Sequence, residues 1–114
     1  MAVTAEEARE MALALEGAGE AAHFDRTAFR TPRRIFATLA GDGADMNLMF
    51  DDVLQAFYIE QAPEAFAPVP GGWGRRGATR CLLSAVDPDT FRGALAAAHA
   101  RAGAPPPARA RRRT

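Results

Sequence analysis

Lysine is absent from the 114 residues, and all fourteen basic positions are arginine. Schiff-base chemistry, which needs a lysine amine, is therefore excluded. Cysteine occurs once, at Cys81, which rules out an intrachain disulfide and a four-cysteine zinc site. His23 and His99 are the only histidines. No grouping of His, Cys, Asp and Glu has metal-ligand spacing, so neither a metal nor another cofactor is expected. The lone serine, Ser84, sits in a strand-like stretch without the setting of a nucleophile elbow. No catalytic constellation emerges, and a non-catalytic protein is the expectation. No apolar run approaches the roughly 20 residues of a membrane span, and MAVTAEEAREM lacks the basic start and apolar middle of a signal peptide. A cytoplasmic protein without membrane association is expected.

The charge that is present is unevenly placed. The formal net charge is zero, yet Arg109, Arg111, Arg112 and Arg113 crowd the last six positions. The remaining chain carries ten arginines against fourteen carboxylates, or minus four. A domain that grips a duplex by charge usually shows a basic excess on its folded part, and this one does not. Exclusive use of arginine reads as coding bias in an alanine-rich chain, or as selection for bidentate phosphate contacts.

Periodicity gives an element order. Thr4 and Glu7 form a capping box, and Ala8, Met11, Ala12 and Leu15 follow at helical spacing, so a helix is expected over 5–16 before Gly17. AFRT, RIFATLA and DMNLMF read as three antiparallel strands, joined at Pro32-Arg33 and at Gly41-Asp42-Gly43. Ile35, Ala37 and Leu39 are expected on one face of the middle strand. Asp51 or Asp52 caps a second helix that turns Leu54, Phe57 and Tyr58 inward and stops before Pro63. Residues 66–69 form a short strand, which Pro68 and Pro70 confine to an edge. ATRCLLSAV is a further strand. Asp87-Pro88 opens a last helix with an apolar stripe of Phe91, Ala94, Leu95, Ala98 and Ala102. The expected fold is α+β, a five-stranded antiparallel sheet in the order α-βββ-α-ββ-α, as one domain over residues 1–103. APPPARARRRT, residues 104–114, has nothing to bury and reads as a disordered proline- and arginine-rich tail.

Two segments in sequence resemble a known family. They are EEAREMALALEGAGEAAHFDRTAFRTPRRIFATL and the later PEAFAPVPGGWGRRGAT leading into VDPDTFRGALAAA. Together they are similar to the MmcQ/YjbR-type proteins, small bacterial domains often labelled DNA-binding. The likeness runs from about Thr4 to Arg101. It implies an α+β architecture likened both to the frataxin fold and to a double-wing arrangement. Members often carry an aromatic residue shortly before the threonine of the last strand. Ala78 holds that place here, so no role is carried over from that aromatic to Trp73.

The candidate contact residues lie at two predicted turns. In PVPGGWGRRGATR, Trp73 can stack on a base while Arg75, Arg76 and Arg80 reach phosphates. The spacing is not that of a P-loop, which needs Gly-Lys-Ser/Thr opening a helix. Tryptophan is highly buried on average, so packing on the core is the expected role of Trp73 itself, and Arg75 and Arg76 remain the better contacts. Arg33 and Arg34 occupy the other turn. Two basic hairpin tips suit a double-wing binder of non-specific DNA backbone. The acidic balance suits instead a module for a protein or a small anionic ligand. A basic face joining residues 33–34 to 75–80 separates the first from the second. Glu6 and Glu10 are one turn apart and invite comparison with an acidic iron-binding helix, although exposed carboxylates are usually just a solvated face.

Overall fold

A computed structural model describes residues 2–104. In chain order the elements are α1 (Ala5–Leu13), β1 (Gly19–His23), β2 (Arg26–Arg30), β3 (Ile35–Ala40), β4 (Asp45–Met49), α2 (Asp52–Gln61), β5 (Phe66–Pro68), α3 (Gly72–Arg75), β6 (Ala78–Leu82) and α4 (Pro88–Gly103). The expected tail over 104–114 lies, apart from its first residue, outside the described residues.

The strands form one antiparallel sheet in the order β1-β2-β3-β4-β6-β5. The class is α+β as expected, but the described residues form six strands and four helices, not five and three. The unforeseen strand is β1, whose residues GEAAH are mostly exposed. It shows no apolar alternation because it is an edge strand with little to bury, held by its ladder to β2. The unforeseen helix is α3, a single turn inside the glycine-rich connection. The first helix stops at Leu13 rather than Glu16.

Capping determines where the helices begin. Thr4 Oγ1 accepts from the backbone N–H of Glu7 at 3.0 Å, and Glu7 Oε1 accepts from the Thr4 N–H at 3.0 Å. Asp51 caps α2 by accepting from the Leu54 N–H, and Asp87 caps α4 with Pro88 beside it. The core lies between one sheet face and the helices. Phe29, Phe36, Met46, Leu48, Cys81 and Leu83 meet Ala8 and Ala12 of α1 and the full stripe Phe91, Ala94, Leu95, Ala98 and Ala102 of α4. Helix α2 closes one end of this core, where Tyr58 stacks on Phe50 with ring centroids 5.2 Å apart. Phe57 is not turned inward as expected, and half of its surface faces solvent.

A register shift between Phe29 and Arg30 reshapes the middle of the sheet. Phe29 pairs with Ala37 but Arg30 pairs with Ile35, so Phe36 is the extra residue of a bulge. Phe36 therefore joins Ala37 and Leu39 in the core, while Ile35 faces the other side. The expected Ile35-Ala37-Leu39 face fails for this reason. The sheet's second face forms the floor of an open groove, to whose lining α3 and α4 contribute Trp73 and Arg101.

Candidate functional site

The register decides which loops meet. Strand β3 starts at Ile35, directly after the β2–β3 turn that carries Arg33 and Arg34. Strand β4 runs antiparallel to it and ends at Met49, paired with Ala78, which follows the Gly71–Gly77 connection. Both basic turns thus lie at one end of the sheet, and Arg33, Arg34, Trp73 and Arg76 line the same groove of about 820 Å³. Arg75 and Arg80, also candidates from sequence, are not among its lining residues.

Local chemistry fixes each turn. Thr31 is buried, and its Oγ1 accepts from the backbone N–H groups of Arg33 and Arg34, both at 3.1 Å. The Thr31 N–H donates to the Arg34 carbonyl at 2.9 Å, closing the turn. Arg34 Nε donates to the Ala102 carbonyl at 3.4 Å, which ties the turn to the last turn of α4. From that same helix end Arg101 reaches the Met49 carbonyl at 3.3 Å and enters the groove.

The second turn is held by close backbone contact. A methyl group on Gly74 would overlap the Val69 carbonyl, and one on Gly77, whose φ is 118°, would overlap the backbone of Phe50 and Asp51. Gln55 Nε2 donates to the carbonyls of Gly74 and Ala78 at 2.9 and 3.1 Å. With its backbone pressed against Val69, Phe50 and Asp51, the α3 turn leaves Trp73 pointing outward. Trp73 is accordingly 65% exposed, which corrects the expectation that it packs on the core. The Arg76 guanidinium lies 5.8 Å from its ring centroid, within cation–π range.

Among the groove residues that sequence reading missed are Phe24, Arg26, Arg30 and Arg101. Arg26 and Arg30 stand at opposite ends of β2 and share one face by the period of two, a signal available once β2 is placed. Arg26 Nε donates to Thr38 Oγ1 at 2.8 Å, and its Nη2 donates to Asp45 Oδ1 at 2.8 Å. Asp45 Oδ2 also accepts from Arg80 Nε at 3.2 Å, so Arg80 serves an internal ion triad beside the groove. Arg30, Arg33, Arg34 and Arg76 have no carboxylate partner among the described residues.

The groove's electrostatics oppose those of the whole. Six of the ten arginines in residues 2–104 line it, against one carboxylate, Asp25. The exposed acids Glu6, Glu7 and Glu10 lie on α1, and Asp52 and Glu60 on α2. Among the described residues no three of His, Cys, Asp and Glu converge on a common point, Glu6 and Glu10 included. His99 Nε2 is 2.7 Å from the Glu16 carbonyl and its ring meets Phe36 edge-on, so it bridges α4 to the chain after α1. Burial, with a smaller contribution from the Asp45 charge, pushes the Cys81 thiol up to about 12, which leaves it protonated and unreactive near neutrality. No described helix is long and apolar enough to cross a membrane.

The model of the YjbR family matches residues 13–101, most of the chain. The chain belongs to the YjbR family. Outside the family match, the fold is similar to that in the crystal structure of Deinococcus radiodurans protein DR2400, of the domain family DUF419. The TM-score is 0.69 at 16% identity, over 84% of this chain and 75% of that one. At that identity the likeness concerns fold alone. No curated protein matches the chain.

Proposed function

We propose that the grooved sheet face of this YjbR protein is a non-catalytic binding surface for nucleic acid. It contacts backbone phosphates with little reading of sequence. The observation that carries this is charge segregation: residues 2–104 sum to minus four, yet six arginines gather in one groove with a single carboxylate. Clustered arginines on a concave wall focus a positive potential, and their forked donors match phosphate geometry. The two basic turns project from the same end of the sheet, as a double-wing binder of DNA would require. The exposed carboxylates of α1 and α2, Glu6, Glu7, Glu10, Asp52 and Glu60, are not among the groove's lining residues.

A small anionic ligand is the second reading. It is favoured by the groove's volume of about 820 Å³, within the roughly 300–1,000 Å³ range of small-molecule sites. Fluorescence anisotropy with a labelled oligonucleotide at low salt tests the first. The wild-type chain, a groove variant (Arg30→Ala, Arg33→Ala, Arg76→Ala) and a tail variant with Arg109, Arg111, Arg112 and Arg113 changed to alanine are compared. Binding lost in the groove variant and mostly kept in the tail variant supports the proposal. The reverse pattern assigns binding to the tail and sinks it.

A further inference from the structure

Building on the proposed nucleic-acid face, we infer that its occupant is a single strand whose unstacked bases lie on Phe24 and Trp73, rather than a duplex. Both aromatics line the groove and both are exposed, Phe24 at 95% and Trp73 at 65%. Phe24 sits in the two-residue turn between His23 and Arg26 with φ 60°, a conformation that favours Asn or Gly and is rare for a bulky side chain. This phenylalanine is badly suited to its backbone and unburied, and its ring meets the neighbouring His23 edge-on at 4.9 Å without joining the core. Trp73 is held outward by the Gly74 and Gly77 contacts, so little backbone freedom is lost when something stacks on it.

The separation of the two rings argues for a strand. Phe24 lies at the β1–β2 end of the sheet face, and Trp73 lies beyond the start of β6 at the other end. Three strand spacings and about four residues of strand length place them roughly 20 Å apart along a diagonal. A mononucleotide cannot reach both, whereas a strand of several nucleotides can. Arg30 and Arg33 stand at the β2–β3 corner of the groove beside this diagonal and Arg76 stands against Trp73, all placed for phosphates. The half-buried Asn47 in the same groove makes no side-chain hydrogen bond among the described residues, leaving its amide for a base edge. This alternation of exposed aromatics and a basic track is the chemistry of single-strand platforms, where stacking is worth about 1–3 kcal/mol per base. A duplex hides its base faces, so it would meet the arginines and gain nothing from the rings.

The test uses the full-length protein with three probes: a thymidine oligonucleotide of about twelve residues, a mixed-sequence duplex of equal length, and thymidine monophosphate. Affinity is read by titration, together with the emission of Trp73, the only tryptophan. The expected result is single-strand binding about ten-fold or more tighter than duplex binding, with Trp73 emission altered by the strand. Trp73→Ala and Phe24→Asn should each weaken the strand complex by roughly five-fold or more and leave duplex affinity nearly unchanged. Asn suits the turn, so Phe24→Asn separates binding from folding. Equal or tighter duplex binding with unchanged Trp73 emission overturns this inference and leaves the anion-face reading standing. Monophosphate binding as tight as the strand overturns it in favour of a small nucleotide site. Failure of every probe to bind at low salt overturns the anion-face reading itself.

Discussion

Asp45 is where groove electrostatics and fold stability oppose one another, and replacing it with alanine should separate them. Its side chain is 12% exposed and bridges Arg26 Nη2 at 2.8 Å and Arg80 Nε at 3.2 Å. Breaking a fully buried pair costs about 3–5 kcal/mol, while an exposed pair contributes about 0–1. Arg26 is 22% exposed and keeps its bonds to Thr38, and Arg80 is about half exposed. An intermediate loss of about 2 kcal/mol follows. For a domain of this size that is a fall in Tm of roughly 8–16 °C. Asp45→Asn retains an acceptor oxygen and should lose less. At the same time the groove margin loses a negative charge, so polyanion affinity of the folded variant should rise at low salt. Thermal melts followed by circular dichroism, with anisotropy titrations well below Tm, read both effects. An Asp45→Ala Tm within about 2 °C of wild type, or weaker binding by the folded variant, would refute the reasoning.

Two other perturbations test the geometry. Gly74→Ala forces a methyl into the Val69 carbonyl, so the α3 turn must shift; a urea midpoint reporting a loss of about 2 kcal/mol or more, with altered Trp73 emission, is expected. The Cys81 thiol, ordinarily near 9.0 and here raised to about 12, should resist a thiol-specific reagent at pH 8 in native protein and react promptly after denaturation. Because the folded state keeps a proton that the unfolded state releases, this group's stabilisation is complete below pH 9 and falls as pH rises towards 12, by up to about 1.4 kcal/mol per unit; denaturant midpoints across that window measure it.

The elements that were legible in sequence are those whose signal is local. Thr4 with Glu7, Asp51, and Asp87 with Pro88 mark helix starts because capping is chemistry between near neighbours. The α4 stripe was readable because all five of its residues face one core. Strand β1 was not, since an exposed edge needs no apolar pattern. The Phe36 bulge was hidden for a different reason: it arises from pairing with β2, which no single strand reveals. The candidate site was half visible. Arg33, Arg34, Trp73 and Arg76 could be named from turn composition, but their convergence depends on β3 and β4 running antiparallel. Trp73 was expected inside because tryptophans usually are; the glycine contacts that throw it outward involve Val69, Phe50 and Asp51, remote in sequence or unremarkable in type. Phe24 carried no local signal of exposure, because only its backbone conformation sets it apart.

The central claim is that the groove arginines bind phosphates, and the salt dependence of binding addresses it most directly. The slope of log affinity against log salt counts the phosphates neutralised, at about 0.7 per contact for a single strand and 0.9 for a duplex. The account predicts a steep wild-type slope that Arg33→Ala with Arg76→Ala makes shallower by roughly 1.4 to 1.8. An unchanged slope in that double variant, with its fold intact by circular dichroism, would contradict the account.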